Sequence, residues 1–255
     1  MKTIRIGSRE FSRVLFGTNA VFGRSHFSVA RDAEYRARFD AAGIERLVQR
    51  AVDSGINTVE SSASDRIGAV LSAVRKRSPR PVCFVGSTRI DETSEIKSHH
   101  RKLEQLIATR AEVCVIHAQF VDRSENTDAV AGLEPMLEQI HAAGLLAGIS
   151  THRVRTVELC ERRGYAIDTY MFPLNATGFV YPGYPGRESV KDRIDLVRGV
   201  AKPFILMKTL AAGRLPPSEA LPFVAEHAKP IDLVSIGFGS EAELDETLRL
   251  AERLF

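Results

Sequence analysis

The chain has 255 residues and is short of cysteine, of one-sided charge and of long apolar runs. Its three cysteines, Cys83, Cys114 and Cys160, form no CxxC pair, which argues against a structural zinc or iron–sulfur site. Cys83 and Cys114 lie inside Val-Cys-Phe-Val and Val-Cys-Val-Ile, where a small core hydrophobe is expected. No apolar run approaches the roughly 18 residues needed to span a bilayer. No signal peptide is recognisable at the start, so a cytoplasmic location is the default expectation. With a net charge of +3 and no dense basic stripe, nucleic acid is a poor partner. A small molecule is the expected partner, with no membrane, and nothing fixes the oligomeric state.

What is present is regular. Hydrophobic content of 44% and charged content of 26% suit a soluble globular protein. Eight short, β-branched apolar runs occur at 14–16, 56–59, 82–85, 113–116, 145–149, 169–172, 204–207 and 233–236. Runs without alternation suit parallel strands buried on both faces. Helical patterns fall between them, at 42–54, 64–78, 94–109, 133–143, 154–163, 189–200, 218–228 and 242–254. His99 and His100 are expected on a solvated face of the third. Eight strand–helix units in a chain of this length predict an α/β fold, a (β/α)8 TIM barrel forming one domain over 1–255. Residues 3–13 predict a β-hairpin that turns at Gly7-Ser8 and plugs the barrel's N-terminal mouth. The stretches 20–38 and 175–188 are expected as long loops over the opposite mouth.

In such a barrel, functional groups sit at the C-terminal ends of the strands. Read in order, those ends carry Gly17-Thr18-Asn19, Glu60, Arg89, His117 with Gln119, Ser150 with His152, Asn175, Lys208 and Gly237-Phe238-Gly239-Ser240. A charge at the end of a buried strand is costly unless it is paired or used. Glu60 and Arg89 are expected as a pair, either structural or part of a site completed by His117. Glu60, His117 and His152 suit a metal in principle, but Arg89 in the same mouth argues against one, so no metal is expected.

Several segments resemble those of the aldo-keto reductases. Gly55-Ile56-Asn57-Thr58-Val59-Glu60-Ser61-Ser62-Ala63 is similar to that family's G-I/V-N-x-F/V-D-T-A strand. Leu15-Phe16-Gly17-Thr18 resembles its first strand, and Val115-Ile116-His117 its fourth. Ala142 to Ser150, Asp168 to Asn175, Met207 to Leu215 and Ser235 to Ser240 resemble later segments in the same order. The family uses Asp, Tyr, Lys and His, the Tyr protonating a carbonyl as a nicotinamide delivers hydride. On this chain the Asp maps to Glu60, the Lys to Arg89 and the His to His117, while the Tyr maps to a gap. Arginine does not release its proton as a buried lysine can, but it holds an anion in bidentate fashion.

The resemblance also implies a cofactor site formed by Gly17, Thr18, Ser150, Asn175, Lys208, Gly237, Gly239, Ser240 and Glu246. Ser150 and Asn175 would hold the nicotinamide carboxamide, and the Gly237–Ser240 turn would hold phosphate at a helix N-terminus. Ser240 as a simple helix cap is the competing reading of that turn. NAD and NADP are equally compatible, as is no cofactor. Asn19, Gln119, His152 and Tyr181 are expected to line the substrate pocket, and Tyr181 or Tyr184 to supply a missing acid.

Three functions follow. One is an atypical NAD(P)-dependent oxidoreductase acting on a small carbonyl or imine compound, with His117 as proton donor and Glu60 orienting Arg89. Another is a lyase, isomerase or cyclase using Glu60, Arg89 and His117 without nicotinamide. The third is an inert binding protein.

Overall fold

The computed structural model describes residues 1–89, 96–125 and 128–255. Ser94, at the expected start of one helix, lies outside the described residues, as does the side chain of His99. The strands, in chain order, are β1 (Thr3–Ile6), β2 (Arg9–Ser12), β3 (Val14–Gly17), β4 (Thr58–Ser62), β5 (Cys83–Ser87), β6 (Val113–Ile116), β7 (Leu146–Ser150), β8 (Thr169–Pro173), β9 (Phe204–Met207) and β10 (Leu233–Gly237). The helices are α1 (Val29–Arg38), α2 (Ala41–Asp53), α3 (Asp65–Arg77), α4 (Ile96–Ala108), α5 (Ala118–Ser124), α6 (Leu133–Ala142), α7 (Val154–Arg163), α8 (Val190–Gly199), α9 (Pro217–His227) and α10 (Glu241–Leu254).

Strands β3 to β10 are parallel and close into a barrel, with β10 pairing back onto β3 through Val234↔Val14 and Gly237↔Gly17. The (β/α)8 expectation holds. Alternate residues of each strand face inward or outward. The outward set, including Phe16, Val59, Phe84, Ile116 and Ile149, packs with the helices in the larger core cluster. The inward set, including Leu15, Val85, Val115, Met171, Ile205 and Leu233, fills the barrel. No helix among the described residues is long and apolar enough to cross a membrane.

The expected hairpin is also present. β1 and β2 pair antiparallel from Thr3↔Ser12 to Ile6↔Arg9. Ile6 and Phe11 join the interior cluster from below. Ser12 N–H donates to Asn57 Oδ1 at 2.6 Å, just ahead of β4, so the hairpin closes the N-terminal end. Gly7 turns it at φ +57°, a left-handed conformation natural to glycine.

Helix α1 falls in the stretch 20–38 expected as loop, and α5 adds a helix that the sequence pattern did not mark. α1 buries no residue and so carries no apolar stripe to read. It is held by the Ser28 cap, by Glu34 ion pairs to Arg31 and Arg38, and by Tyr35. α5 is seven residues long and is capped by His117.

Candidate active site

Arg89 follows β5, His117 follows β6, His152 follows β7 and Lys208 follows β9. Because the strands are parallel, all four lie at one mouth of the barrel. His26, from the loop after β3, leans over the same opening. Each of the three imidazoles senses the Lys208 charge, and His26 and His117 also sense Arg89.

His117 Nδ1 accepts a hydrogen bond from the Gln119 backbone N–H at 3.2 Å. A backbone N–H only donates, so the ring proton of neutral His117 sits on Nε2. Burial, followed by the Arg89 charge, holds its pKa down to about 3. His117 is therefore neutral at ordinary pH. This corrects its expected role as a proton donor titrating near neutrality: it offers an N–H hydrogen bond instead.

His152 has the opposite tautomer. Its Nδ1 lies 3.0 Å from Asp122 Oδ2, and a carboxylate only accepts, so Nδ1 carries the proton and Nε2 the free lone pair. Asp122 also accepts from Thr151 Oγ1 at 2.5 Å. Burial lowers the His152 pKa and the Asp122 hydrogen bond raises it, with burial the larger effect. The carbonyl of His152 accepts from Tyr184 Oη at 2.9 Å and from the buried Arg193 at 3.1 Å. Tyr181 stands edge-on to the His152 ring at 5.3 Å between centroids. The loop 175–188 thus folds onto His152, as expected of a loop over this mouth. The Tyr184 hydroxyl is engaged with His152 O and the Glu188 carboxylate, and burial pushes its pKa up to about 12.

Lys208 Nζ lies 5.9 Å from the Tyr181 ring centroid and forms no ion pair with the described residues. Burial brings its pKa down to about 8. Its backbone is left-handed at φ +56°, a conformation that costs a non-glycine residue roughly 1–2 kcal/mol. Asn175 Nδ2 and Ala211 N–H both donate to its carbonyl, at 3.0 and 2.8 Å, and hold it there.

Glu60 does not join this group. Its Cα partner in β5 is Val85, two inward-facing layers below Arg89. Its carboxylate accepts from Ser235 Oγ on β10 at 3.1 Å, and no ion pair to Arg89 occurs among the described residues. Burial raises the Glu60 pKa to about 7, partly offset by the Ser235 hydrogen bond. The expected Glu60–Arg89 pair is therefore absent, and Glu60 does not orient Arg89.

Most of the expected dinucleotide contacts are taken up by the chain itself. Asn175 donates to Phe179 O and Lys208 O, and its Oδ1 accepts from Thr177 and Phe179, so its amide clamps the loop. Gly239 N–H donates to Glu243 Oε2 at 2.7 Å, and Gly239 O accepts from Arg38 at 2.8 Å. A Cβ built on Gly239 would meet the Tyr35 ring at 2.6 Å. Ser240 Oγ accepts from Glu243 N–H as a helix cap. Gly17 serves close packing of β3 on β10, since a Cβ there would meet Ser235 Oγ at 2.9 Å. Thr18 Oγ1 donates to Ser61 Oγ at 2.7 Å. Gly237, Glu246 and Asn19 are exposed. Ser150 Oγ accepts from Ala118 N–H at 2.7 Å and keeps its own proton, while buried Gln119 Oε1 has no partner. Glu243 thus occupies the Gly239 N–H of the expected phosphate turn, and loop 175–188 and Lys208 O occupy Asn175.

Asp122, which hydrogen-bonds the His152 ring, was not singled out from the sequence. It lies on the same short α5 whose first turn His117 caps.

The fold is that of the aldo-keto reductases. Against the holo form of aldo-keto reductase AKR11C1 from Bacillus halodurans the TM-score is 0.69 at 12% identity, covering 99% of this chain and 91% of that one. An aldo/keto reductase from Klebsiella pneumoniae, solved with NADP and acetate, gives 0.66 at 15% identity, covering 97% and 89%. The N-acetylmannosamine-6-phosphate 2-epimerase of Clostridium perfringens gives 0.51 at 16% identity, covering 85% and 87%. No protein-family model and no curated protein sequence matches the chain.

Proposed function

We propose that the chain is an enzyme, an atypical oxidoreductase of aldo-keto reductase-like type that activates the carbonyl or imine group of a small anionic compound without a tyrosine. One observation carries this reading: at a single mouth, the cations Arg89 and Lys208, without an ion pair among the described residues, face a neutral His117 and the His152–Asp122 pair. Arg89 suits the anionic group of the substrate. The Nε2–H of His117 polarises the carbonyl oxygen as a neutral hydrogen-bond donor, a role that needs a low imidazole pKa. His152 Nε2, oriented by Asp122, moves protons.

The reductive class is supported by the fold alone, and no hydride step is assigned to these residues. A second reading, a lyase, isomerase or cyclase without nicotinamide, is favoured by the self-engaged Gly239 and Asn175. Pyruvate, a small anionic ketone, separates the two. Consumption of NADH or NADPH with pyruvate supports reduction. Deuterium uptake into its methyl group in D2O without nicotinamide supports acid–base chemistry. The absence of both, across pyruvate and a panel of related keto and aldehyde acids, contradicts the proposal. So does full activity in Arg89→Met and His117→Ala.

A further inference from the structure

We infer that Lys208 is a covalent nucleophile, forming an imine with the carbonyl carbon of an anionic substrate; this rests on the reading that such a compound binds at the mouth. Several independent features converge on its amine. Lys208 stands at the C-terminal end of a barrel strand, where chemistry on this architecture is done. Its ammonium has no carboxylate partner among the described residues, and Glu60 is engaged with Ser235 at a deeper level. His117, His152 and His26 each sense its charge, and its Nζ lies 5.9 Å from the Tyr181 ring centroid. Its backbone is held in a left-handed conformation by Asn175 and Ala211, which fixes where the side chain starts. A desolvated lysine without an ion pair among the described residues is the form in which the amine becomes available as a nucleophile.

The remaining groups supply the proton transfers. Tyr181 contacts both the His152 ring and Lys208 Nζ, so base and amine share one wall. His152 Nε2 takes a proton from the Lys208 ammonium, and the resulting imidazolium is held by the Asp122 carboxylate. The free amine forms a C–N bond to the carbonyl carbon, and the C=O π pair moves onto oxygen, which accepts from His117 Nε2–H. A proton passes from nitrogen to that oxygen. His152 then returns its proton to the oxygen as the C–O bond breaks and water leaves. The product is a protonated imine, with one water released and nothing oxidised or reduced. Arg89 holds the substrate's anionic group throughout.

The test is reductive trapping of the full chain with pyruvate and sodium borohydride, followed by intact mass measurement and peptide mapping, with acetone as the uncharged control. Binding of pyruvate is followed in parallel through the histidine ring resonances. We expect one borohydride-dependent adduct, located on Lys208, formed with pyruvate in preference to acetone and absent in Lys208→Arg. His152→Gln should still bind pyruvate but be trapped roughly 100-fold more slowly, the scale of a lost general base. Pyruvate binding without an adduct, or an adduct spread over exposed lysines and unchanged in Lys208→Arg, overturns the covalent role while leaving the site intact. Neither binding nor trapping overturns both.

Discussion

His152 Nδ1 sits 3.0 Å from Asp122 Oδ2, while His117 Nδ1, one strand away, accepts from a backbone N–H. Two imidazoles at one mouth are thereby fixed in opposite tautomers. One presents a lone pair at Nε2 and the other a proton. The first prediction concerns this difference. In Asp122→Asn the side chain can donate to His152, so the Nδ1–H tautomer loses its support. Histidine nitrogen NMR should show Nδ1–H for His152 in the wild type and a shift toward Nε2–H in the variant, with His117 unchanged. The loss of turnover should be about 100-fold or more, as expected when a base is held in the wrong tautomer. An unaltered His152 tautomer would remove Asp122 from the account.

Glu60 predicts a pH-dependent stability. Its folded pKa of about 7 lies above the ordinary value of 4.5. Between these values the folded state holds a proton that the unfolded chain has lost, so stability falls as pH rises through that window and levels off above it. The total is about 3 kcal/mol. Glu60→Gln should remove this slope, so the variant gains on the wild type from pH 4.5 to pH 7. Urea midpoints across that range check it, and a constant difference would contradict the buried carboxyl.

Lys208 gives the converse. Its folded pKa of about 8 lies below the ordinary value of 10.5. Above pH 8 the folded state sheds a proton that the unfolded chain keeps, so stability relative to Lys208→Met rises toward pH 10.5 by about 3 kcal/mol. At pH 7 the variant should be the more stable of the two. Equal denaturation midpoints at pH 7 would mean that the ammonium is well solvated.

Asn175→Asp keeps the acceptor that receives Thr177 and Phe179 but loses the donors to Phe179 O and Lys208 O. Phe179 O loses this partner while Lys208 O keeps Ala211 N–H, at a cost of about 1–3 kcal/mol. Thermal unfolding measures this cost. Proteolysis within 175–188 should also accelerate. A neutral substitution would contradict the clamp.

Glu243 gives a prediction about dinucleotides. Its carboxylate accepts from the Gly239 N–H, in the turn that the resemblance assigns to phosphate. Glu243→Gln weakens this contact and should raise affinity for NADH severalfold, a gain on the scale of one charge at a helix N-terminus. Fluorescence titration of wild type and variant decides it, and equal affinities would show that Glu243 does not block the turn.

The barrel was legible because burial on both faces writes eight apolar runs into the chain, and β3 to β10 fall on them. Helix α1 was not, since it presents no apolar face and is held by a cap, ion pairs and Tyr35. Strand order also put Arg89, His117, His152 and Lys208 at one mouth. Their protonation depends on which backbone or carboxylate each ring meets, and that follows from loop geometry. The same limit applies to Asn175, whose residue type suits a carboxamide ligand but whose every polar group is satisfied by its own loop. Glu60 was misplaced because sequence fixes its strand but not its depth relative to Arg89.

The most direct test of the central claim is a pyruvate titration followed through the ring resonances of His117 and His152, in the wild type and in the double variant Arg89→Met, Lys208→Met. Binding at the mouth predicts saturable shifts of both rings in the wild type and their loss in the double variant. Unmoved rings in the wild type, or shifts that persist without Arg89 and Lys208, would contradict an anionic carbonyl site there.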